Sequence, residues 1–201
     1  MTSRIVYLLR HAQVDAAYAD KCRGVTDCEL SDTGRLTSQR NAAYLRRQNV
    51  ELVVTSGRRR TDYIGQLLTA HGIAHVVDPS FRERDFGTWE GLSWREISER
   101  FPSEHAQWER YEPVIIPGGE TQAELEARAV ASWQRLLSFS FTCAAVVSHG
   151  AFNFALLWYL LRGWTSGKRP RQQHGCLNEI HIIDGESRIA RMNILINKVE
   201  T

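Results

Sequence analysis

Short apolar runs separated by longer amphipathic stretches narrow the fold of this chain more than any other feature. Runs at residues 5–9, 51–55, 73–77 and 144–147 have the length of buried strands, and stretches of helical length lie between them. This alternation is expected where helices cover both faces of a mostly parallel open sheet, so the chain reads as a three-layer α/β domain. Ser31 or Asp32 can cap a helix that carries Leu36, Ala43 and Leu45 to a polar stop near Gln48. A second helix runs from about Arg59 to His71 and ends at Gly72, which has no β-carbon to oppose a left-handed cap. Thr121 and Glu124 form a capping box, opening a helix in which Leu125, Ala129, Trp133 and Leu136 recur at three- and four-residue steps. Past His149 and Gly150 an apolar helix reaches about Leu161, and strands at 179–183 and 188–194 flank a turn at Asp184 and Gly185.

A length of 201 residues with 43% hydrophobic content fills one core, so residues 1–201 are expected to form a single domain. Residues 83–117 depart from the alternation. They hold Phe86, Trp89, Trp94, Phe101 and Trp108 among many charges, and are expected to form a lid-like insertion after the third strand. The formal charge of +2 gives no broad basic surface. Lys168, Arg169 and Arg171 around Pro170 read as a solvated loop, so no nucleic-acid partner is expected. The apolar run at 152–161 is too short to span a bilayer, and no membrane association is expected. Cysteines at 22, 28, 143 and 176, without a Cys-x-x-Cys pair, fit a reducing, cytoplasmic setting, with pairing of Cys22 and Cys28 under oxidation left open. His71, His75, His105, His174 and His181 lack ligand spacing and read as surface or packing residues; no metal and no cofactor is expected. Nothing dictates an oligomeric state, and a homodimer stays an open expectation.

The placement of certain basic residues carries the functional information. Arg10 and His11 end the first strand, Arg60 follows the second, and His149 ends the strand before the last large helix. Ligands of open α/β sheets bind in the crevice beyond the carboxyl ends of the strands, where residues distant in sequence converge. Two guanidinium groups and two imidazoles there would form a cationic cup for a phosphate dianion.

These residues also lie within a series of short motifs. "LLRHAQ", "ELSDTG", "TSGRRRT", "FRERDFGTWEG", "PGGET" and "VVSHG" occur in that order between Ile5 and Gly150. The series resembles the histidine phosphatase superfamily, which includes the cofactor-dependent phosphoglycerate mutases. The resemblance implies that His11 is the nucleophile and Glu83 the proton donor. Arg10, Arg60 and His149 would hold the phosphoryl group of a small phosphorylated substrate. A neutral His11 must then donate its other nitrogen to a backbone carbonyl, and Glu83 must carry a proton before transfer.

Gln13, Arg23 and Thr26 are expected at the substrate rim. Ala12 and Ala17 depart from the family's Gly and Asn, which predicts narrowed space and restricted backbone angles beside His11 and a lost phosphate contact. The interval between Glu83 and His149 is shorter than in family mutases, which favours the phosphatase branch that resembles α-ribazole phosphatase. A phosphoglycerate mutase and a phospho-ligand-binding protein without turnover are the alternatives.

Overall fold

A computed structural model describes residues 3–110, 112–161 and 172–196. The basic residues Lys168, Arg169 and Arg171, expected in a solvated loop, lie outside the described residues. In chain order the elements are β1 (Ser3–Arg10), α1 (Asp32–Arg47), β2 (Leu52–Thr55), α2 (Arg59–Thr69), β3 (Ala74–Val77), α3 (Trp94–Arg100), α4 (Pro102–Glu109), α5 (Gln122–Ser138), β4 (Cys143–Ser148), α6 (Gly150–Leu160), β5 (Leu177–Ile183) and β6 (Glu186–Ile194).

The six strands form one sheet in the order β3-β2-β4-β1-β5-β6. β3, β2, β4 and β1 are mutually parallel, whereas β5 pairs antiparallel with β1 and β6 antiparallel with β5. The sheet is therefore mixed, with its parallel half carrying the crossover helices. The β5–β6 hairpin turns at Asp184 and Gly185, both at positive φ, as a two-residue loop of this hand requires.

Side chains alternate between two cores, one on each face of the sheet. Val6 and Leu8 of β1 join Leu125, Ala129, Trp133 and Phe152 on the α5–α6 face. Tyr7 and Leu9 point the other way, to Leu45, Ile64 and Leu68 on the α1–α2 face. Burial on both faces explains why the central strands read as continuous apolar runs. The Thr121–Glu124 capping box forms as expected.

α1 corrects one expectation. Ser31 caps it, but Leu36 is 53% exposed and Ala43 is not among its buried residues; the buried face is Gly34, Ser38, Asn41, Ala42 and Leu45. Apolar spacing misled because this helix lies close to backbone. A β-carbon at Gly34 would stand 1.9 Å from the Gln13 carbonyl oxygen, so small and polar residues replace a leucine stripe here.

Between β3 and α5 the chain builds a satellite core, with Phe86, Trp89, Ile97, Val114 and Ile116 packed around Cys22. The buried Arg84 fastens this excursion to the returning segment before α5, donating from Nε to the Glu120 carbonyl and from a terminal nitrogen to the Val114 carbonyl. All four cysteines are free and buried, so Cys22 and Cys28 are unpaired.

Candidate active site

β1, α2 and α6 bring Arg10, His11, Arg60 and His149 to the carboxyl end of the parallel strands. His11 follows β1 directly and is 4% exposed. Its Nδ1 lies 2.8 Å from the Ala12 carbonyl oxygen, which can only accept, so the proton sits on Nδ1 and Nε2 keeps its lone pair. Burial, followed by the nearby His149, Arg60 and Arg10, pushes the imidazolium form of His11 well below its ordinary range. The ring is therefore neutral. Its centroid is 5.2 Å from that of His149 and 5.4 Å from that of His174.

Arg60 and His149 are held as one unit. Of three consecutive arginines, Arg59 turns outward to Asp27 and Glu29, whereas Arg60 is 1% exposed. Arg60 donates from its terminal nitrogens to the carbonyls of Thr26 (2.7 Å) and Gly24 (3.1 Å), and from Nε to His149 Nδ1 (3.3 Å). A guanidinium cannot accept, so Nδ1 is the bare nitrogen of His149 and Nε2–H donates to Ser56 Oγ at 2.8 Å. Ser56 then donates to Thr61 Oγ1 (3.0 Å), and Thr61 to the Arg58 carbonyl (2.8 Å). Burial, then Arg60 and Arg10, depresses the charged form of His149 as well.

Glu83, 7% exposed, meets the start of α6. Its Oε1 accepts from the backbone N–H groups of Arg84 (3.0 Å), Ala151 (3.1 Å) and Phe152 (3.1 Å). Oε2 has the longer contact to Ala151, 3.2 Å, and is the less engaged oxygen. At Gly150, the first residue of α6, a β-carbon would stand 3.2 Å from the Arg10 guanidinium carbon, so the absent side chain lets Arg10 lie across the helix start. The carboxylate, a helix N-terminus and a guanidinium thus share one corner.

Arg10 reveals a residue that sequence reasoning missed. One terminal nitrogen donates to the Gln172 carbonyl (2.5 Å) and the other to His174 Nε2 (3.0 Å), while Nε is buried without a partner among the described residues. His174 is thus a third imidazole of the site and not a surface or packing residue. Burial, then Arg10 and Arg23, lowers its pKa to about 3, so it serves as a neutral acceptor. No local motif marks it. The signal would have been its place four residues before β5 Asn178, whose side-chain amide pairs with that of Gln172.

Gln13, Arg23 and Thr26 separate. Arg23 lines a cleft of 520 Å³ with Arg10, Glu83, Gly150 and His174. Gln13 lines a different depression, of 430 Å³, behind Arg10 and His174. Thr26 uses its hydroxyl on Glu90 (2.8 Å) and its carbonyl on Arg60, so its side chain does not face the cleft. Glu90 also accepts from the backbone N–H groups of Gly24 (2.7 Å), Val25 (3.0 Å), Thr26 (3.3 Å) and Phe86 (3.3 Å), tying the 24–26 loop to the excursion. His11, Arg60 and His149 are buried and do not line the cleft; Arg10 and Glu83 do.

Ala12 is not at positive φ, so its methyl does not strain the backbone. Ala17 is exposed in a short turn at 16–18 and lines neither depression. Among the described residues no group of three or more His, Cys, Asp or Glu side chains could hold a metal ion, and no helix is long and apolar enough to cross a membrane.

Comparison with known proteins bears on the family and the fold. The chain is 27% identical over 191 residues to the uncharacterized phosphatase PhoE of Bacillus subtilis, covering 94% of each protein. It is 31% identical over 130 residues to a glucosyl-3-phosphoglycerate phosphatase of Mycobacterium tuberculosis, a match spanning 64% of this chain and 58% of that protein. A solved structure described as a putative alpha-ribazole-5'-P phosphatase of Escherichia coli shares the fold, with a TM-score of 0.80, 21% identity and coverage of 98% and 99% of the two chains. Residues 6–195 match the family model for the histidine phosphatase superfamily (branch 1), and the chain belongs to that superfamily.

Proposed function

We propose that the protein is a metal-independent phosphatase that hydrolyses a small phosphomonoester through a phosphohistidine on His11. The observation that carries this reading is the 2.8 Å contact of His11 Nδ1 with the Ala12 carbonyl, which leaves Nε2 free to attack in a buried, neutral ring. Arg10 and Arg60 meet the charge on the equatorial oxygens, the task a metal performs elsewhere, while His149, whose one N–H is spent on Ser56 and whose bare Nδ1 accepts from Arg60, holds that guanidinium in place. Nε2 forms a bond to phosphorus as the bond to the leaving oxygen breaks, and protonated Glu83 gives its proton to that oxygen. The Glu83 carboxylate then takes a proton from water, whose oxygen attacks phosphorus. The P–N bond breaks, inorganic phosphate forms, and neutral His11 and protonated Glu83 are restored.

Free, buried cysteines support a reducing, cytoplasmic setting. The test is hydrolysis of p-nitrophenyl phosphate in excess EDTA, with and without vanadate. Turnover that persists in EDTA and is blocked by vanadate is expected; dependence on added divalent metal, or tight vanadate binding without turnover, contradicts the reading. With 3-phosphoglycerate and a bisphosphoglycerate primer, release of phosphate without the 2-isomer separates it from a mutase.

A further inference from the structure

The cleft is far larger than a phosphoryl group needs. Beside Arg10, Glu83, Gly150 and His174, its 520 Å³ is walled by Lys21, Arg23, Phe86, Trp94, Trp108 and Phe154. Two features of this cleft are unexplained by phosphoryl transfer. The first is Arg23, whose terminal nitrogen Nη1 is buried without a hydrogen-bond partner among the described residues. A desolvated guanidinium nitrogen left unpaired is costly, and its charge adds to the repulsion on Arg10 and Arg60. The Glu90 carboxylate of the loop scaffold is already occupied by the N–H groups of residues 24–26 and 86.

The second feature is the aromatic wall. Trp94 and Trp108 stack with centroids 5.9 Å apart at 25°, and Phe86 meets Trp108 edge-on at 5.6 Å. Lys21 is bridged through its backbone to Ser93, the residue before Trp94, which places the basic and aromatic walls side by side. A flat apolar face suits the wall, and an anion suits the unpaired guanidinium.

We propose that the leaving group of the substrate carries a planar ring, seated against Trp94 and Trp108, and a second anionic group taken by Arg23. This inference rests on the reading of the site as a phosphomonoesterase and names its substrate class. It makes Arg23 a specificity residue, separate from the groups that hold the transferred phosphoryl.

The test compares kcat/KM for 3- and 4-carboxyphenyl phosphate with the matched carbamoylphenyl phosphates, which present the same ring without the charge, and with phenyl phosphate. At least one carboxylate is expected to exceed its amide by about tenfold or more, a ratio that collapses to within about threefold in Arg23→Gln. Trp94→Leu is expected to shrink the preference for phenyl over ethyl phosphate. If no carboxylate exceeds its amide in the unaltered protein, the inference fails without recourse to a variant. It fails equally if the ratio survives in Arg23→Gln, because Arg23 then serves the transferred phosphoryl or the fold. Absence of phenyl phosphate hydrolysis altogether would instead reject the phosphatase reading itself.

Discussion

Substitution of His11 by Ala is expected to lower kcat for any phosphomonoester by at least ~10⁴-fold, because the atom that receives the phosphoryl group is removed. Folding should survive. The hydrogen bond lost runs from Nδ1 to the carbonyl of the very next residue, and no charge is left unpaired, since the ring is neutral. Deleting a buried imidazole costs packing of the order of ~2 kcal/mol, to be read from the thermal midpoint. An unchanged fold with activity within a hundredfold of the parent would show that phosphorus is attacked by some other atom.

The second large effect is expected at Arg60, where Lys keeps the charge and loses the geometry. Three donors of the guanidinium reach separate acceptors at 2.7–3.3 Å, on Thr26, Gly24 and His149. An ammonium on a flexible stem cannot satisfy all of them at once, and His149 loses the partner that fixes its bare nitrogen. Arg60→Lys is therefore expected to reduce kcat/KM by roughly 10²–10³-fold and to weaken vanadate binding in parallel. A variant within threefold of the parent, measured on a folded sample, would remove Arg60 from the phosphoryl site.

Much of this site was legible before any coordinates because strand ends are local features. Arg10 and His11, Arg60 and His149 each sit just beyond a short apolar run, and the parallel half of the sheet brings those ends together. Arg60 could be chosen over Arg59 because its spacing matched a family segment; its burial supplies the physical reason. What failed depended on contacts between distant segments. His174 reaches Arg10 across the sheet from the loop before β5, a pairing no window of sequence contains. Thr26 lies near the site in sequence, yet its hydroxyl is drawn away by Glu90. Leu36 fits a helical stripe with Leu45, but with α1 held against the Gln13 backbone at Gly34 only Leu45 is buried and Leu36 faces solvent.

The backbone restriction expected at Ala12 does not arise. A methyl in place of hydrogen restricts backbone angles only where φ is positive, and Ala12 is not at such a position. Gly175, which does adopt positive φ, donates its N–H to the His11 carbonyl at 3.0 Å and supports the backbone of His11.

Covalent capture tests the central claim most directly. The protein is mixed with excess phosphomonoester, quenched in alkali within the first turnovers and digested for mass spectrometry under conditions that preserve phosphoramidates. The account predicts a transient phosphoryl group on the imidazole of His11, formed before steady-state release of phosphate and absent when vanadate is present. Steady turnover with no label at position 11, or with the label on another side chain, would contradict it.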